Sequence, residues 1–199
     1  MIKKLIDKFL SNPFVYILLQ KLMRGNIFEK VIRKECNQNY NSYILDLACG
    51  VGLYADLFNS KNYMGVDLDE KYIQYAQNKY PNKVFKVMDV RHINIKDSIF
   101  DTIIAVGLIH HLSDDDAFQT LKGMKNVSKK NGQIIIIDMI PPCSNYNIIG
   151  NVLISLDRGI HVRKMNDFIN LFSTLFIVSK QYTIKRWPNE FCVFVLKTS

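Results

Sequence analysis

A short apolar run that carries one carboxylate and passes directly into small residues limits what this chain can become. Tyr43-Ile44-Leu45-Asp46-Leu47 is apolar apart from Asp46, is preceded by Asn41-Ser42, and continues into Ala48-Cys49-Gly50-Val51-Gly52. That pattern predicts a short buried strand ending in a tight turn. Ala48, Gly50 and Gly52 are small at every second position, so backbone N–H groups can come close to a ligand. A helix expected over 53–58 would aim its positive end at the same point. An acid on the last turn of the strand is out of place beside a phosphate and suits a ligand carrying positive charge.

Two further runs repeat the theme. Tyr63-Met64-Gly65-Val66-Asp67 reads as a second strand ending in a carboxylate, and 84–87 as a third, followed by Met88-Asp89-Val90. In a doubly wound sheet Asp67 then lies beside the glycine turn, at the carboxyl edge where ligands sit. A carboxylate there can accept two hydrogen bonds from vicinal hydroxyls, and charge-assisted bonds are about twice as strong as neutral ones. Asp69 and Glu70 suit the start of the next helix, expected over 70–79 and stopped before Pro81.

The pattern Asp46-x-Ala48-x-Gly50-x-Gly52 resembles the first motif of the class I S-adenosylmethionine-dependent methyltransferases, with Ala48 where glycine is commoner. The resemblance implies that Asp46 and the backbone near Gly50 and Gly107 hold the amino-acid end of S-adenosyl-L-methionine. It implies Asp67 on the ribose, Leu68 against adenine, and Asp89 accepting from the adenine amino group. Met88 or Val90 would supply a backbone N–H, and Val106 and Gly107 would border the methionine part.

The fourth strand, 100–106, leads into Gly107-Leu108-Ile109-His110-His111-Leu112. Family members that methylate exocyclic base amines or protein glutamine carry an Asn/Asp-Pro-Pro-aromatic loop here. This chain does not, and the Leu-Ile-His-His-Leu form resembles enzymes acting on small molecules. A neutral His110 or His111 could take a proton from an acceptor, a role worth about 10²–10⁴-fold. Equally, both could pack at the mouth of the strand and hold the loop. Adjacent histidines are poor metal geometry, and no metal site is expected. Ser113 followed by Asp114-Asp115-Asp116 reads as a helix cap with first-turn acids.

That helix is expected over 115–128, stopped by Lys129-Lys130-Asn131-Gly132. A fifth strand over 133–138 contains four consecutive isoleucines, which suits a strand covered on both faces. The stretch from there to about residue 165 occupies the usual place of a substrate-binding insertion. Within it, Asp157-Arg158-Gly159-Ile160-His161-Val162-Arg163 is similar to a stretch in a group of small bacterial methyltransferases. His161 is a further acceptor-binding candidate. Arg158 or Arg163 could clamp an anionic acceptor, the alternative being a surface salt bridge to Asp157 or Asp167. A helix over 166–172 and a hairpin of strands over 177–184 and 191–196 complete the chain.

Ahead of the first strand, 2–10 and 14–23 have helical spacing, separated by Ser11-Asn12-Pro13, and a third helix is expected over 27–36. The run 14–19 is too short to span a bilayer. It fits a lid packed on the sheet, with contact to a membrane surface as the alternative. The resemblance implies that Tyr16 and Arg24 face the acceptor pocket.

With 199 residues, 48% of them hydrophobic, the chain can fill one α/β core. The expected division is a helical extension, 1–38, on a cofactor-binding domain, 39–199. Net charge is +8, but the lysines are scattered without interleaved aromatics, so no nucleic-acid partner is expected. Cys36, Cys49, Cys143 and Cys192 lie far apart, no pair has metal-ligand spacing, and no secretory leader is evident. A reduced, cytoplasmic setting is expected.

The expectation is therefore a Rossmann-like α/β three-layer sandwich with seven mostly parallel strands and an antiparallel last strand. It would transfer methyl groups from S-adenosyl-L-methionine to a small molecule, as a monomer or homodimer. One alternative is a non-catalytic cofactor-binding module acting through a partner. The other is an NAD-dependent oxidoreductase, because Gly50-x-Gly52-x-x-Ala55 with Asp67 also fits a dinucleotide fingerprint. Asp46 facing a pyrophosphate counts against the last.

Overall fold

The computed structural model describes residues 12–36, 41–96, 99–142 and 161–198. Arg158 and the expected helix over 2–10 fall outside them, and the Arg24 side chain is likewise not described. The first described helix, α1 (Pro13–Arg24), starts where the sequence signals it: the Asn12 side chain accepts from the Phe14 N–H at 2.9 Å. Gly25, at φ +56°, turns the chain into α2 (Ile27–Glu35). The buried Glu35 takes a hydrogen bond from Lys180 at 2.9 Å and one from the Tyr182 hydroxyl at 3.0 Å, tying α2 to the far edge of the sheet.

The remaining elements among the described residues are seven strands and three α-helices. They are β1 (Ile44–Leu47), β2 (Tyr63–Asp67), α3 (Glu70–Lys79), β3 (Val84–Val87), β4 (Phe100–Val106), α4 (Asp114–Val127), β5 (Ser128–Ile140), α5 (Met165–Ser173), β6 (Ile177–Arg186) and β7 (Asn189–Lys197). The seven strands form one sheet in the order β3-β2-β1-β4-β5-β7-β6. The first five run parallel, and β7 pairs antiparallel with both β5 and β6. This is the expected Rossmann-like architecture, antiparallel last strand included.

The isoleucine run of β5 shows why both faces need helices. Ile134 and Ile136 enter one core with Leu45, Leu47, Phe168, Phe172 and Phe194, beneath α4 and α5. Ile135 and Ile137 enter the other with Phe28, Ile32, Ile44 and Val193, beneath α2. A strand alternates its side chains, so apolar residues at every position require cover on both sides.

Two local expectations are corrected. No α-helix forms over 53–58; that stretch holds only a 3₁₀ turn at Ala55–Leu57, followed by another at Ser60–Asn62. The run is short and uncapped: Tyr54, ahead of the 3₁₀ turn, makes no side-chain cap hydrogen bond, and so few residues do not repay the cost of nucleating an α-helix. The second correction is at Lys129-Lys130-Asn131-Gly132, which does not stop a helix but interrupts a strand. α4 ends at Val127, β5 begins at Ser128, and its register against β4 shifts between Phe100 and Thr102. Asn131 (φ +61°) accommodates the irregularity, and a Cβ at Gly132 would lie 2.8 Å from the Lys129 carbonyl.

Candidate functional site

The glycine turn after β1 is built from left-handed backbone. Ala48 (φ +57°), Gly50 (φ +54°) and Gly52 (φ +73°) all sit there, which explains the small residue at each place. The turn spends its own N–H groups. Cys49 N–H donates to the Val66 carbonyl at 3.0 Å, Gly50 N–H to Asp67 Oδ2 at 2.7 Å and Gly52 N–H to the Cys49 carbonyl at 3.0 Å. Gly107 N–H goes to the Ile137 carbonyl at 2.8 Å, and Met88 N–H to the Asp67 carbonyl at 2.9 Å. Sequence reasoning offered the backbone near Gly50 and Gly107 to a ligand; here the Cys49, Gly50 and Gly107 N–H groups bond neighbouring strands, and the Gly52 N–H closes the turn itself. Of the two adenine donors considered, Met88 is committed, which leaves Val90.

What the turn retains is negative character. Asp46 is buried and accepts from the Tyr63 hydroxyl at 2.8 Å. Burial pushes its pKa up to about 7; the Tyr63 hydrogen bond opposes this, and repulsion from Asp67 adds to it. Asp67, at the tip of β2, accepts from Gly50 N–H through one oxygen and from Asp69 N–H at 2.9 Å through the other. Burial raises its pKa as well, against those backbone bonds. A carboxylate has about four acceptor sites. Two are taken, and two remain for a pair of hydroxyls. Leu68 beside it is an exposed apolar surface.

Asp89, the third acid, is differently placed. Arg91 forks onto it, Nε at 2.9 Å from Oδ1 and Nη2 at 2.6 Å from Oδ2, and this pairing holds its pKa down at about 2. It also caps the 3₁₀ turn Val90–His92. Asp46 and Asp67 thus act on one another across the turn, while Asp89 answers to Arg91.

Tyr16 reaches the same turn from above. A Cβ built on Gly50 would lie 3.4 Å from its ring, and the ring packs on Tyr72 of α3 with centroids 4.9 Å apart. Helix α1 therefore covers the turn.

After β4, Gly107 (φ +66°) redirects the chain into a 3₁₀ turn, Ile109–His111. His110 is only 2% exposed, and its Nδ1 hydrogen-bonds the Asp138 carboxylate at the end of β5. Asp138 also accepts from the Ile109 and Met139 N–H groups, each at 2.7 Å. Burial alone would raise the Asp138 pKa, but the His110 charge and these bonds hold it below the usual carboxylate value. His111 is exposed, with its ring centroid 4.1 Å from that of His110.

Arg163 is held within the fold. It is 8% exposed, and its guanidinium bonds the carbonyls of Ile109 (2.9 Å), Leu112 (2.8 Å) and His161 (3.2 Å), and Asp114 at 2.6 Å. It fastens the loop after β4; among the described residues its acid partner is Asp114 rather than Asp167, and Asp157 lies outside them. His161 joins the same arrangement through its N–H, bonded to the His110 carbonyl at 3.0 Å. A hollow of about 490 Å³ between α4 and α5, lined by Asp114, Phe118, Arg163 and Asp167 among others, includes no residue of the glycine turn. Among the described residues, no cluster of three or more His, Cys, Asp or Glu is placed to hold a metal.

Sequence reasoning missed Asp138, Tyr63 and the anchoring role of Arg163. Asp138 had a signal: like Asp67 it is an acid closing an apolar strand. Tyr63 had none, because its meeting with Asp46 depends on the register of β1 against β2.

Residues 44–132 match the family model described as "Methyltransferase domain". The sheet order and the acid-bearing glycine turn agree with that match. Over this stretch, somewhat under half of its length, the chain is similar to the class I S-adenosylmethionine-dependent methyltransferases. It is 28% identical over 103 residues to a demethylmenaquinone methyltransferase of Thermotoga maritima, covering 50% of this chain and 44% of that protein. It is 30% identical over 100 residues to the probable tRNA methyltransferase 9B of Homo sapiens, covering 50% of this chain and 22% of that protein. The chain thus spans less than half the length of these curated relatives. The fold matches that of the N-methyltransferase NodS from Bradyrhizobium japonicum WM9, solved with S-adenosyl-L-homocysteine. The TM-score is 0.77 at 11% identity, over 98% of this chain and 97% of that one.

Proposed function

We propose that this methyltransferase moves the methyl group of S-adenosyl-L-methionine to a small-molecule acceptor. The observation that carries the reading is the chemistry of the glycine turn. The Cys49, Gly50 and Gly52 N–H groups are bonded within the fold, and the buried Asp46 feels the charge of the part-buried Asp67 beside it. Such a cup attracts an ammonium and a sulfonium and repels a pyrophosphate, which argues against a nicotinamide dinucleotide. Asp67 would take the ribose hydroxyls on its remaining lone pairs, Leu68 and Val90 would border the base, and Asp46 would answer the positive amino-acid end.

The sulfonium carbon is already electrophilic. The protein need only align an acceptor for in-line displacement and exclude water, and orientation of that kind supplies about 7–11 kcal/mol. The lid formed by α1, with Tyr16 over Gly50, and the absence of an Asn-Pro-Pro loop after β4 both favour a small acceptor. His110 serves to hold that loop against Asp138. His111, the exposed one of the pair, is the histidine open to an acceptor proton.

Calorimetric titration with S-adenosyl-L-homocysteine and with NAD tests the cofactor assignment. We expect binding of the first only, weakened about tenfold or more in Asp67→Ala; unchanged affinity in that variant overturns the ribose role. A tRNA acceptor is the second reading, favoured by the net charge of +8 and by the tRNA methyltransferase relative. Incubation of cell extract with radiolabelled S-adenosyl-L-methionine separates the two: label in the RNA fraction sinks the small-molecule reading.

A further inference from the structure

Helix α1 crosses the carboxyl edge of the sheet. At its start, the Phe14 ring meets Tyr75 (centroids 5.6 Å) and Tyr16 meets Tyr72, both on α3 beside β2. At its end, a Cβ on Gly25 would lie 3.4 Å from the Arg186 guanidinium, on the β6–β7 hairpin. Four strand spacings separate β2 from β7 in the sheet order, about 19 Å. A helix of 12 residues is about 18 Å long, which matches that span.

The inward face of this strap is accounted for by Tyr16 on the glycine turn; the outward face is not. Phe14 and Leu18, one turn apart on the same side, are 70% and 60% exposed. Where the strap reaches the hairpin, Trp187 is 77% exposed. The hairpin stands beyond the end of β5, since Ile140 pairs with Glu190, so Trp187 belongs to the same edge. Single exposed apolar residues are ordinary; three large ones along one rim mark a contact surface. The charges around them point to its partner. Lys185 and Arg186 stand exposed beside Trp187; Lys185 lies 3.9 Å from the buried Glu190, a loose pair that leaves its ammonium facing solvent. The exposed acids Asp114 and Asp115 begin α4 at the same edge of the sheet but over its opposite face, away from the strap. Aromatic and apolar groups flanked by bases are the composition of a surface seated at the headgroup level of an anionic bilayer.

We propose that this rim docks onto an anionic lipid surface, with Phe14, Leu18 and Trp187 entering the headgroup layer and Lys185 and Arg186 facing lipid phosphates. Docking there sets the mouth of the cofactor site against the bilayer. No helix among the described residues is long and apolar enough to cross a membrane, so the contact is peripheral.

The chain contains one tryptophan, so its own fluorescence reads the contact. The full chain is mixed with phosphatidylcholine vesicles, with and without phosphatidylglycerol, and followed by emission and co-sedimentation. The expected result is a blue shift and sedimentation with the anionic vesicles, both reversed by salt. Leu18→Ser combined with Lys185→Gln should weaken binding about tenfold or more, leaving S-adenosyl-L-homocysteine affinity unchanged as a control of folding. Three results overturn the proposal. The first is no binding to either vesicle. The second is binding indifferent to phosphatidylglycerol or to the replacements. The third is a dimer on size exclusion that the same replacements abolish, which would make the rim a self-association face. None of these bears on methyl transfer, which the cofactor titration tests separately.

Discussion

Replacing Arg163 distinguishes a loop fastener from an acceptor clamp. Its guanidinium is the hydrogen-bond partner of the buried carbonyls of Ile109 and Leu112, at 2.9 and 2.8 Å. In Arg163→Ala both carbonyls lose that partner, at about 1–3 kcal/mol each. The Asp114 side chain is 87% exposed, so its ion pair with Arg163 adds less than about 1 kcal/mol. The sum is about 2–6 kcal/mol, a large share of the 5–15 kcal/mol that roughly bounds domain stability. For a chain of this size each kcal/mol lowers Tm by roughly 2–4 °C. A central loss of about 4 kcal/mol therefore predicts a Tm lower by roughly 8–16 °C in thermal denaturation followed by circular dichroism. Arg163→Lys should recover less than half of that, because an ammonium cannot fork across two carbonyls. Well below the transition, S-adenosyl-L-homocysteine affinity should fall less than it does in Asp67→Ala, since the described contacts of Arg163 lie in the loop after β4 and not at the glycine turn. A variant melting within about 2 °C of the parent would refute the fastening role and return Arg163 to the acceptor pocket.

Asp46 makes cofactor affinity depend on pH. Its raised pKa means that the ligand-free fold is stabilised by this group below the ordinary carboxylate range and loses that contribution as pH rises through about 7. A cationic ligand favours the ionised form. Affinity for S-adenosyl-L-methionine should therefore fall up to about tenfold per unit below pH 7, and titration in buffers of different ionisation enthalpy should detect proton release; a flat profile would separate Asp46 from the ligand. Gly65→Ala places a Cβ 2.7 Å from Phe85 Cδ1 and 2.9 Å from Cys49 Sγ, directly across the register from Asp46. It should cost about 1–3 kcal/mol in denaturant unfolding, and Phe85→Leu in the same chain should restore part of it.

The fold was legible because its signals are local. Apolar runs with acid or glycine punctuation mark strands whose pairing follows from doubly wound topology, and the isoleucine run of β5 announces cover on both faces. The cofactor half was legible for the same reason: Asp46, Asp67 and the small residues of the turn lie at strand ends, and strand ends can be read in order. What could not be read is who meets whom. The turn's N–H groups seemed available because Gly50 to Asp67 is a contact across the sheet, made only once β1 and β2 are in register. Arg163 and Ile109 are far apart in sequence, and nothing in either segment names the other. Over 53–58 the failure was different. Helical periodicity was present, but over six residues with no capping side chain it did not close an α-helix.

The loop after β4 brings these long-range contacts together. Ile109 gives its N–H to Asp138 and its carbonyl to Arg163; His110 gives its ring to Asp138 and its carbonyl to the His161 N–H. Asp138 stands at the end of β5, shortly before residue 143, and His161 and Arg163 come directly after residue 160. Both ends of the intervening stretch are thus fastened to one loop, the loop that borders the cofactor's reactive end in the proposed function. Holding the ends together removes most of the closure entropy of that stretch, a cost that grows only slowly with length. Its interior can then vary in sequence and length with little effect on the sheet. Acceptor choice on this scaffold should accordingly be set by 143–160 and by the strap α1, while Asp138 and Arg163 keep the loop between them in one position.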